Sequence, residues 1–398
     1  MNLTPSHKRT GTQASGTFRA GILGTGTNSS GTGILGTGTQ ASNAASPNYV
    51  TPDSIFGFLF GLMRPHLRLV AALIVFTVIT LPHHPVQAQS LIPAFGEARS
   101  GTSGFQFTKI GADARSAGMG FSNMAVANDA SSFYWNPALA AEAERSEFML
   151  SHTQYFADIS MEYASYLHRA GSFAIGGSLQ YLNSGDMKET TEFMPFGTGR
   201  TFRTVHLSAG LTVSQKLTDL FSYGITVRYL MERIEEVELQ TPAFDFGFFY
   251  RVGDTGLKFS VALNNFGFDA SPSGETVRTT LNGDVVEDTF EDVSLPTRFI
   301  IATAYDVWQT DTFSAVITGQ ITNPSDNAEQ FSMGTELGYM QQFFLRTGYQ
   351  FGYDEIRFPS FGAGVKLPVM SQLIAADYSF SPYDRLGNLH RIGLRIQL

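Results

Sequence analysis

From Glu147 onward the chain alternates apolar side chains with small or polar ones, two residues to a period, in short segments joined by connections that are alternately tight and long. Phe173, Ile175, Gly177, Leu179 and Tyr181 fall on one face of such a segment, and Ser172, Ala174, Gly176, Ser178 and Gln180 on the other. Val205, Leu207, Ala209, Leu211 and Val213 oppose Thr204, His206, Ser208, Gly210 and Thr212 in the same way. Ile392, Leu394, Ile396 and Leu398 oppose Arg391, Gly393, Arg395 and Gln397. Successive side chains of a strand point to opposite faces, so in a barrel one face meets lipid while the other meets water or packed polar groups. A soluble sandwich alternates identically, and the connections separate the two.

Segments of roughly ten residues, the length that crosses a bilayer at a barrel's tilt, begin near Glu147, Ser160, Ser172, Thr201, Phe221, Ala243, Gly256, Pro296, Thr312, Glu329, Phe343, Ser360, Ser371 and Leu389. The pattern predicts an all-β fold, a transmembrane outer-membrane β-barrel of about 14 antiparallel strands. The connections Arg169 to Gly171, Lys216 to Leu220, Gly253 to Thr255, Trp308 to Asp311, Tyr339 to Gln342 and Pro368 to Met370 are short, whereas Asn183 to Arg200 and Phe266 to Leu295 are long. With both termini on the periplasmic side, every short turn lies in the periplasm and the longest loops lie outside the cell. A sandwich has no reason to sort its loops this way.

Composition narrows the chemistry. The chain has no cysteine, which excludes disulfides, thiolate metal sites, cysteine nucleophiles and a lipid-modified N-terminal cysteine. Its 40 Gly, 34 Phe and 15 Tyr beside only 15% charged residues suit tight strands with aromatic girdles. A mean hydropathy of −0.03 is what averaging lipid-facing and lumen-facing positions produces, so it does not mark a soluble protein. No apolar run reaches the roughly 18 residues of a membrane helix. The formal charge of −9 disfavours nucleic acid as a partner.

The organisation before the barrel divides in three. Residues 1–62 are low-complexity, with GILGTGT at Gly21 to Thr27 and again at Gly33 to Thr39. Such sequence cannot bury a core. It is either a disordered leader or an untranslated stretch; the second reading is preferred, because a complete secretory signal starts at Met63. Within 63–88, Arg64, His66 and Arg68 form the basic region, Leu69 to Leu81 the apolar region, and Val86-Gln87-Ala88 a cleavage site before Gln89. Residues 89–146 form a plug segment and 147–398 the barrel.

The plug segment holds the most diagnostic sequence, Phe107 to Gly120 and Ala127 to Ala140. Asn136 before Pro137 is a helix start: the side chain caps free N–H groups and proline occupies the first helical position, where no donor is needed. Ala138 to Glu144 then form one or two helical turns. Gly118-Met119-Gly120 signals a tight backbone passage. The segment is too small for a domain, so it is expected in the lumen or at its periplasmic mouth.

The two blocks, KIGxDARSAGMG and AxDASSxYWNPALA, resemble the signature of PorV/PorQ-type outer-membrane proteins, distant relatives of the FadL transporters of hydrophobic compounds. They span about 35 residues, in order and shortly after a signal sequence, and Leu263-Asn264-Asn265-Phe266-Gly267 is similar to a family strand end. The resemblance implies a FadL-like barrel of fourteen strands and association with type IX secretion, with secretion components and cargo sorting domains as partners beside outer-membrane lipid and lipopolysaccharide. Carried over position by position, Asp113, Arg115, Asp129, Trp135, Asn136 and Pro137 match the motif. Asp113 and Arg115 are read as structural hydrogen bonding that holds the segment, against a role in substrate gating, and Trp135 beside Tyr134 as an aromatic wedge rather than a ligand stack.

Catalytic patterns are not recognisable. His152, His168, His206 and His390 are scattered over distant strands, where histidines that only hydrogen-bond are the default, and Ser178 lacks the flanks of a nucleophile elbow. Asn282-Gly283 signals a type I′ hairpin in the longest loop. Its acids Asp284, Glu287, Asp288, Glu291 and Asp292 lack the ligand order of a calcium loop and suit a solvated or docking face. Glu232, Glu235, Glu236 and Glu238 are expected at the extracellular rim. The leading function is a non-enzymatic barrel without cofactors serving protein secretion or surface attachment of secreted proteins; the rivals are a FadL-like channel for hydrophobic solutes and a purely structural barrel.

Overall fold

The computed structural model describes residues 101–280, 283–352 and 355–398, all within the compact unit Ala88–Leu398. The low-complexity stretch, the signal segment and Gln89 lie outside the described residues, as does Asn282. Eighteen strands follow an inner N-terminal segment: β1 (Glu147–Gln154), β2 (Ser160–Ala170), β3 (Phe173–Asn183), β4 (Met187–Lys188), β5 (Thr201–Phe202), β6 (Thr204–Lys216), β7 (Phe221–Ile234), β8 (Val237–Arg251) and β9 (Leu257–Gly267). After these come β10 (Thr276–Thr280), β11 (Gly283–Glu287), β12 (Arg298–Gln309), β13 (Phe313–Pro324), β14 (Gln330–Tyr339), β15 (Phe343–Phe351), β16 (Ser360–Val369), β17 (Gln372–Tyr383) and β18 (Gly387–Gln397). Fourteen of them close a barrel in which each strand pairs antiparallel with its sequence neighbour; β4–β5 and β10–β11 are two-stranded ribbons in the loops. The seam joins β1 to β18, Glu147 opposite Gln397 and Gln154 opposite His390. Closure leaves no unpaired edge in lipid, which is why a membrane β-structure must be a barrel.

The predicted faces are the observed ones. Phe173, Ile175 and Leu179 are exposed on the outer wall while Ala174, Ser178 and Gln180 are buried inside. On β14, Phe331 and Tyr339 both face outward. Eight residues apart, they span about 26 Å of strand, close to the roughly 25 Å apolar band of such barrels. Each stacks on a neighbour at its own end, Phe331 on Phe351 (5.5 Å between ring centres) and Tyr339 on Phe313 (5.1 Å), which makes the two girdles.

Most predicted strand starts fall within three residues of the observed ones; the sixth does not. β8 begins at Val237 rather than Ala243, because Val237 to Pro242 pair with Tyr229 to Ile234 and only Glu235 and Glu236 turn the chain, Glu235 with φ 55°. Of the acids expected at the rim, Glu235 and Glu236 form the turn of a long β7–β8 hairpin, while Glu232 and Glu238 pair within its ladder. In the loop ribbon Thr280 pairs with Gly283, which places Gly283 in the ladder instead of the turn.

The inner segment lies in the lumen and enters it from the long-loop end. Although β1 starts and β18 ends at the short-turn end, the chain at Ser103 bridges Ser294 in the long connection between β9 and β12. Lys109 pairs with Asp326 in the β13–β14 loop. At its other extreme Glu142 accepts from Ser222 and Arg251 at the short-turn end of β7 and β8. The segment therefore runs the length of the lumen, from the long-loop end to the short-turn end. Cysteines placed at Gly101 and at Ser273 are expected to react with an impermeant maleimide added to intact cells, and one at Thr255 to react only after lysis. Labelling of the Thr255 position together with protection of the other two would invert the topology.

Candidate functional site

The inner segment has little regular structure of its own: 3₁₀ turns at Gln106–Lys109 and Pro137–Glu142, and two short helices, α1 (Ala114–Gly118) and α2 (Ser132–Trp135). Polar side chains hold these pieces together. Asp113 caps α1, accepting from Ser116 N at 2.8 Å, and also accepts from Trp135 Nε1 at 2.7 Å, so one carboxylate joins the two motif blocks. Burial, with the charge of Asp129 nearby, pushes the Asp113 carboxyl above its ordinary value. Trp135 meets Tyr134 edge-on at 4.7 Å and lies 5.9 Å from Phe121.

Asn136 caps the turn that Pro137 leads, as its sequence predicts, though the turn is 3₁₀ and ends at Glu142. Its Oδ1 accepts from Ala138 N at 2.9 Å while Nδ2 donates to Phe248 O at 3.1 Å and Ser260 Oγ at 2.5 Å. The cap is thus also a rivet to β8 and β9. It reaches the wall because Gly247 stands there: a Cβ on Gly247 would lie 1.8 Å from Asn136 Oδ1. Across the lumen, the passage through Gly118-Met119-Gly120 is as close, a Cβ on Gly348 falling 2.0 Å from the Met119 carbonyl carbon.

Arg115 and Asp129 enter a closed ring of charges with four residues of the wall. Arg115 donates to both oxygens of Glu336 (2.9 and 2.8 Å) and to Asp129 Oδ2 (3.1 Å). Arg395 Nη1 donates to the same Asp129 oxygen at 2.6 Å, and its Nη2 donates to Asp377 Oδ2 at 2.9 Å. Arg346 closes the circuit, donating to Asp377 Oδ1 at 2.6 Å and to Glu336 Oε2 at 2.5 Å. Three guanidiniums alternate with three carboxylates, so the ring is neutral although every member is largely buried. Burial would raise the Asp129 carboxyl, but Arg395 and Arg115 outweigh it and hold the group down at about 2.

A second set of contacts binds the segment on the opposite wall. Arg228, paired with Asp245 at 2.5 Å, donates to Phe133 O at 2.7 Å. A bulge opposite Asp245, with Asn265 at φ 57°, turns both Asn264 and Asn265 inward. Asn264 donates to Trp135 O (3.0 Å) and Asn265 to Thr108 Oγ1 (3.0 Å). Sequence reasoning quoted Asn264 and Asn265 only as a family-like strand end, and missed Glu336, Asp377, Arg395, Arg228 and Asp245. The available signal was the inward register of charged residues on otherwise apolar strands, since a charge on such a strand must face the lumen.

The histidines stay apart, each with its own partner. His152 meets Glu162 at 2.6 Å, His206 meets Glu232 at 3.1 Å, His168 meets Ser146 and His390 meets Tyr378. Glu232 is not a simple rim acid: it also accepts from Phe105 N at 2.7 Å and so fastens the entry of the inner segment. No group of three or more metal-ligating side chains is found among the described residues.

The family model for the type IX secretion system protein PorV matches residues 94–256, the stretch holding the inner segment and strands β1 to β8. The resemblance carried by the two motif blocks is thereby borne out. Among solved structures, the chain is similar to the toluene transporter TodX of Pseudomonas putida (13% identity, TM-score 0.51, covering 72% of this chain and 97% of that one). It is similar also to a TodX monoaromatic hydrocarbon channel with the deletion S2S3 (13% identity, TM-score 0.52, covering 72% and 98%). At that identity they establish the fold, a FadL-like outer-membrane barrel. No curated protein sequence matches the chain.

Two outcomes are expected. Replacing Asn136 with Ala removes the cap and strands the carbonyl and hydroxyl it served, a loss of roughly 2–4 kcal/mol in the seating of the segment. Trypsin or chymotrypsin should then cut between Gly104 and Glu144 in detergent, with the folded barrel's electrophoretic mobility unchanged; wild-type resistance would refute the rivet. Asp129 has a depressed pKa, so its ion pairs stabilise the seated segment fully above the unfolded value of about 4. That contribution is lost as pH falls from about 4 toward about 2. Emission from Trp135 in a Trp308→Phe background should report the release over that window, and the same variant carrying Asp129→Asn should show no such transition.

Proposed function

We propose that this PorV-type outer-membrane barrel serves type IX protein secretion, as a non-enzymatic partner in the passage of secreted proteins or in their attachment at the cell surface. In this reading residues 63–88 direct export, the mature chain begins at Gln89, residues 89–146 act as a plug, and residues 147–398 supply the membrane barrel. The single observation that carries the proposal is the family match over residues 94–256, which includes the whole riveted segment.

The packing supports a barrel that works through its surfaces. Phe249 and Arg346 face inward and are buried, Arg346 inside the charge ring and Phe249 in the main apolar cluster with Trp135 and Leu139. The loop acids Asp288, Glu291 and Asp292 and the ribbon β10–β11 provide an exposed face suited to docking. Sorting domains of cargo and components of the secretion machinery are the proposed partners.

The test is a deletion of the gene in its host, followed by surface proteomics. Proteins bearing type IX C-terminal sorting domains are expected to disappear from the cell surface and to return on complementation. Normal display of those proteins, with impaired uptake of hydrophobic compounds instead, would replace this reading with the channel reading.

A further inference from the structure

Every ladder of the wall but one joins strands that succeed each other along the chain; the exception is the seam, where β1 meets β18. These two strands are the ends of the barrel sequence, and Glu147 and Gln397, which face each other there, lie 250 residues apart. No hairpin tethers them, so of all the ladders this one closes the longest loop of chain and costs the most entropy to form.

Two consecutive residues of the inner segment touch both sides of the seam. The Ala130 N–H donates to Glu147 Oε1 of β1 at 3.0 Å, and Glu147 Oε2 accepts from Gln397 Nε2 of β18 at 2.8 Å. Asp129 Oδ2 accepts from Arg395 Nη1, also of β18, at 2.6 Å. The Ala130 carbonyl accepts in addition from Ser165 Oγ of β2 at 2.9 Å. Asp129 and Glu147 are both buried, where hydrogen bonds to a charged group are strongest. Ala130 stands only 17 residues before Glu147, so a segment seated against β1 presents the Asp129 carboxylate at the edge that β18 has to find. Tethering of that kind raises the effective concentration of two partners that are distant in the chain.

The threading sets the order of events. The segment runs from Ser103 at the long-loop end to Glu142 at the short-turn end, and β1 starts and β18 ends at the short-turn end. Entry into a finished barrel from the periplasm would draw the N-terminal end of the segment past Glu336, Arg346, Asp377 and Arg395. It would also draw it past a wall without clearance, where a Cβ on Gly348 would lie 2.0 Å from the Met119 carbonyl carbon and one on Gly247 1.8 Å from Asn136 Oδ1. We propose that the barrel closes around a segment that is already seated, and that Asp129-Ala130 is the clasp that brings β18 onto β1. Closure in this order is a property of assembly and is independent of the secretion reading.

The test uses full-length protein carrying Trp308→Phe, in which Trp135 is the sole tryptophan, together with His152→Cys and Ile392→Cys as its only cysteines. His152 and Ile392 stand opposite each other on the outer face of the seam, so a disulfide between the replacements reports closure. The protein is refolded from urea into detergent, and aliquots are pulsed with an oxidant at intervals. The disulfide is counted only in the band with a folded barrel's mobility, and protection of Trp135 from acrylamide reports seating. Seating is expected to precede the disulfide or to coincide with it. Asp129→Asn should slow the disulfide roughly 10-fold, whereas Glu336→Gln, which breaks the same ring at β14 away from the seam, should slow it less than about twofold. Should Asp129→Asn not fold, Arg395→Lys, which keeps the charge and gives up the fork, takes its place with the same expectation. A disulfide formed while Trp135 is still freely quenched would overturn the order of closure. Equal slowing by the clasp variant and Glu336→Gln, or no slowing by the clasp variant, would overturn the clasp.

Discussion

Everything inside this barrel follows from one constraint: a charged side chain on a membrane strand has to face inward, and once inside it has to be neutralised. Glu336, Arg346, Asp377 and Arg395 meet the first requirement through the two-residue period of their strands. They meet the second by pairing with one another and with Arg115 and Asp129 of the inner segment. The four wall residues alone would place two guanidiniums against two carboxylates, but Arg115 and Asp129 complete the coordination of Glu336 and Arg395. The wall and the segment are therefore joined electrostatically, and deleting the segment removes the contacts of Arg115 with Glu336 and of Asp129 with Arg395.

Close approach makes the ring possible. Guanidinium and carboxylate geometry leaves only tenths of an ångström of tolerance, and the segment reaches its place because the wall lacks side chains where the backbone presses on it, at Gly348 beneath Met119 and at Gly247 beside Asn136. Those positions also explain why so short a stretch, with two single-turn helices, is ordered at all. Its order comes from the wall, through Asn136, Asn264, Asn265 and Arg228, and not from its own helical propensity.

The same arrangement shapes function. The segment runs through the lumen and is fastened at Glu232 near one end and at Glu142 near the other. At the long-loop end the β7–β8 hairpin, the β10–β11 ribbon and a cavity lined by Arg298 and Arg391 are gathered. The fold is shared with hydrocarbon channels, while the PorV match covers the inner segment together with strands β1 to β8.

Periodicity, with the sorting of short and long connections, determined the barrel, its strand number and which side chains meet lipid, because a strand's faces are set by a local geometric rule that holds whatever the strand packs against. Asn136-Pro137 likewise announced its cap, since capping involves neighbours in sequence. Pairing across the lumen is not local. That Asp129 would meet Arg395, 266 residues away, or that Asp113 would accept from Trp135, depends on how a closed wall and a threaded segment come to face each other. The direction of threading and the inward bulge at Asn264 and Asn265 were likewise decided only in three dimensions, where charge balance is a property of the enclosed volume and not of any one strand.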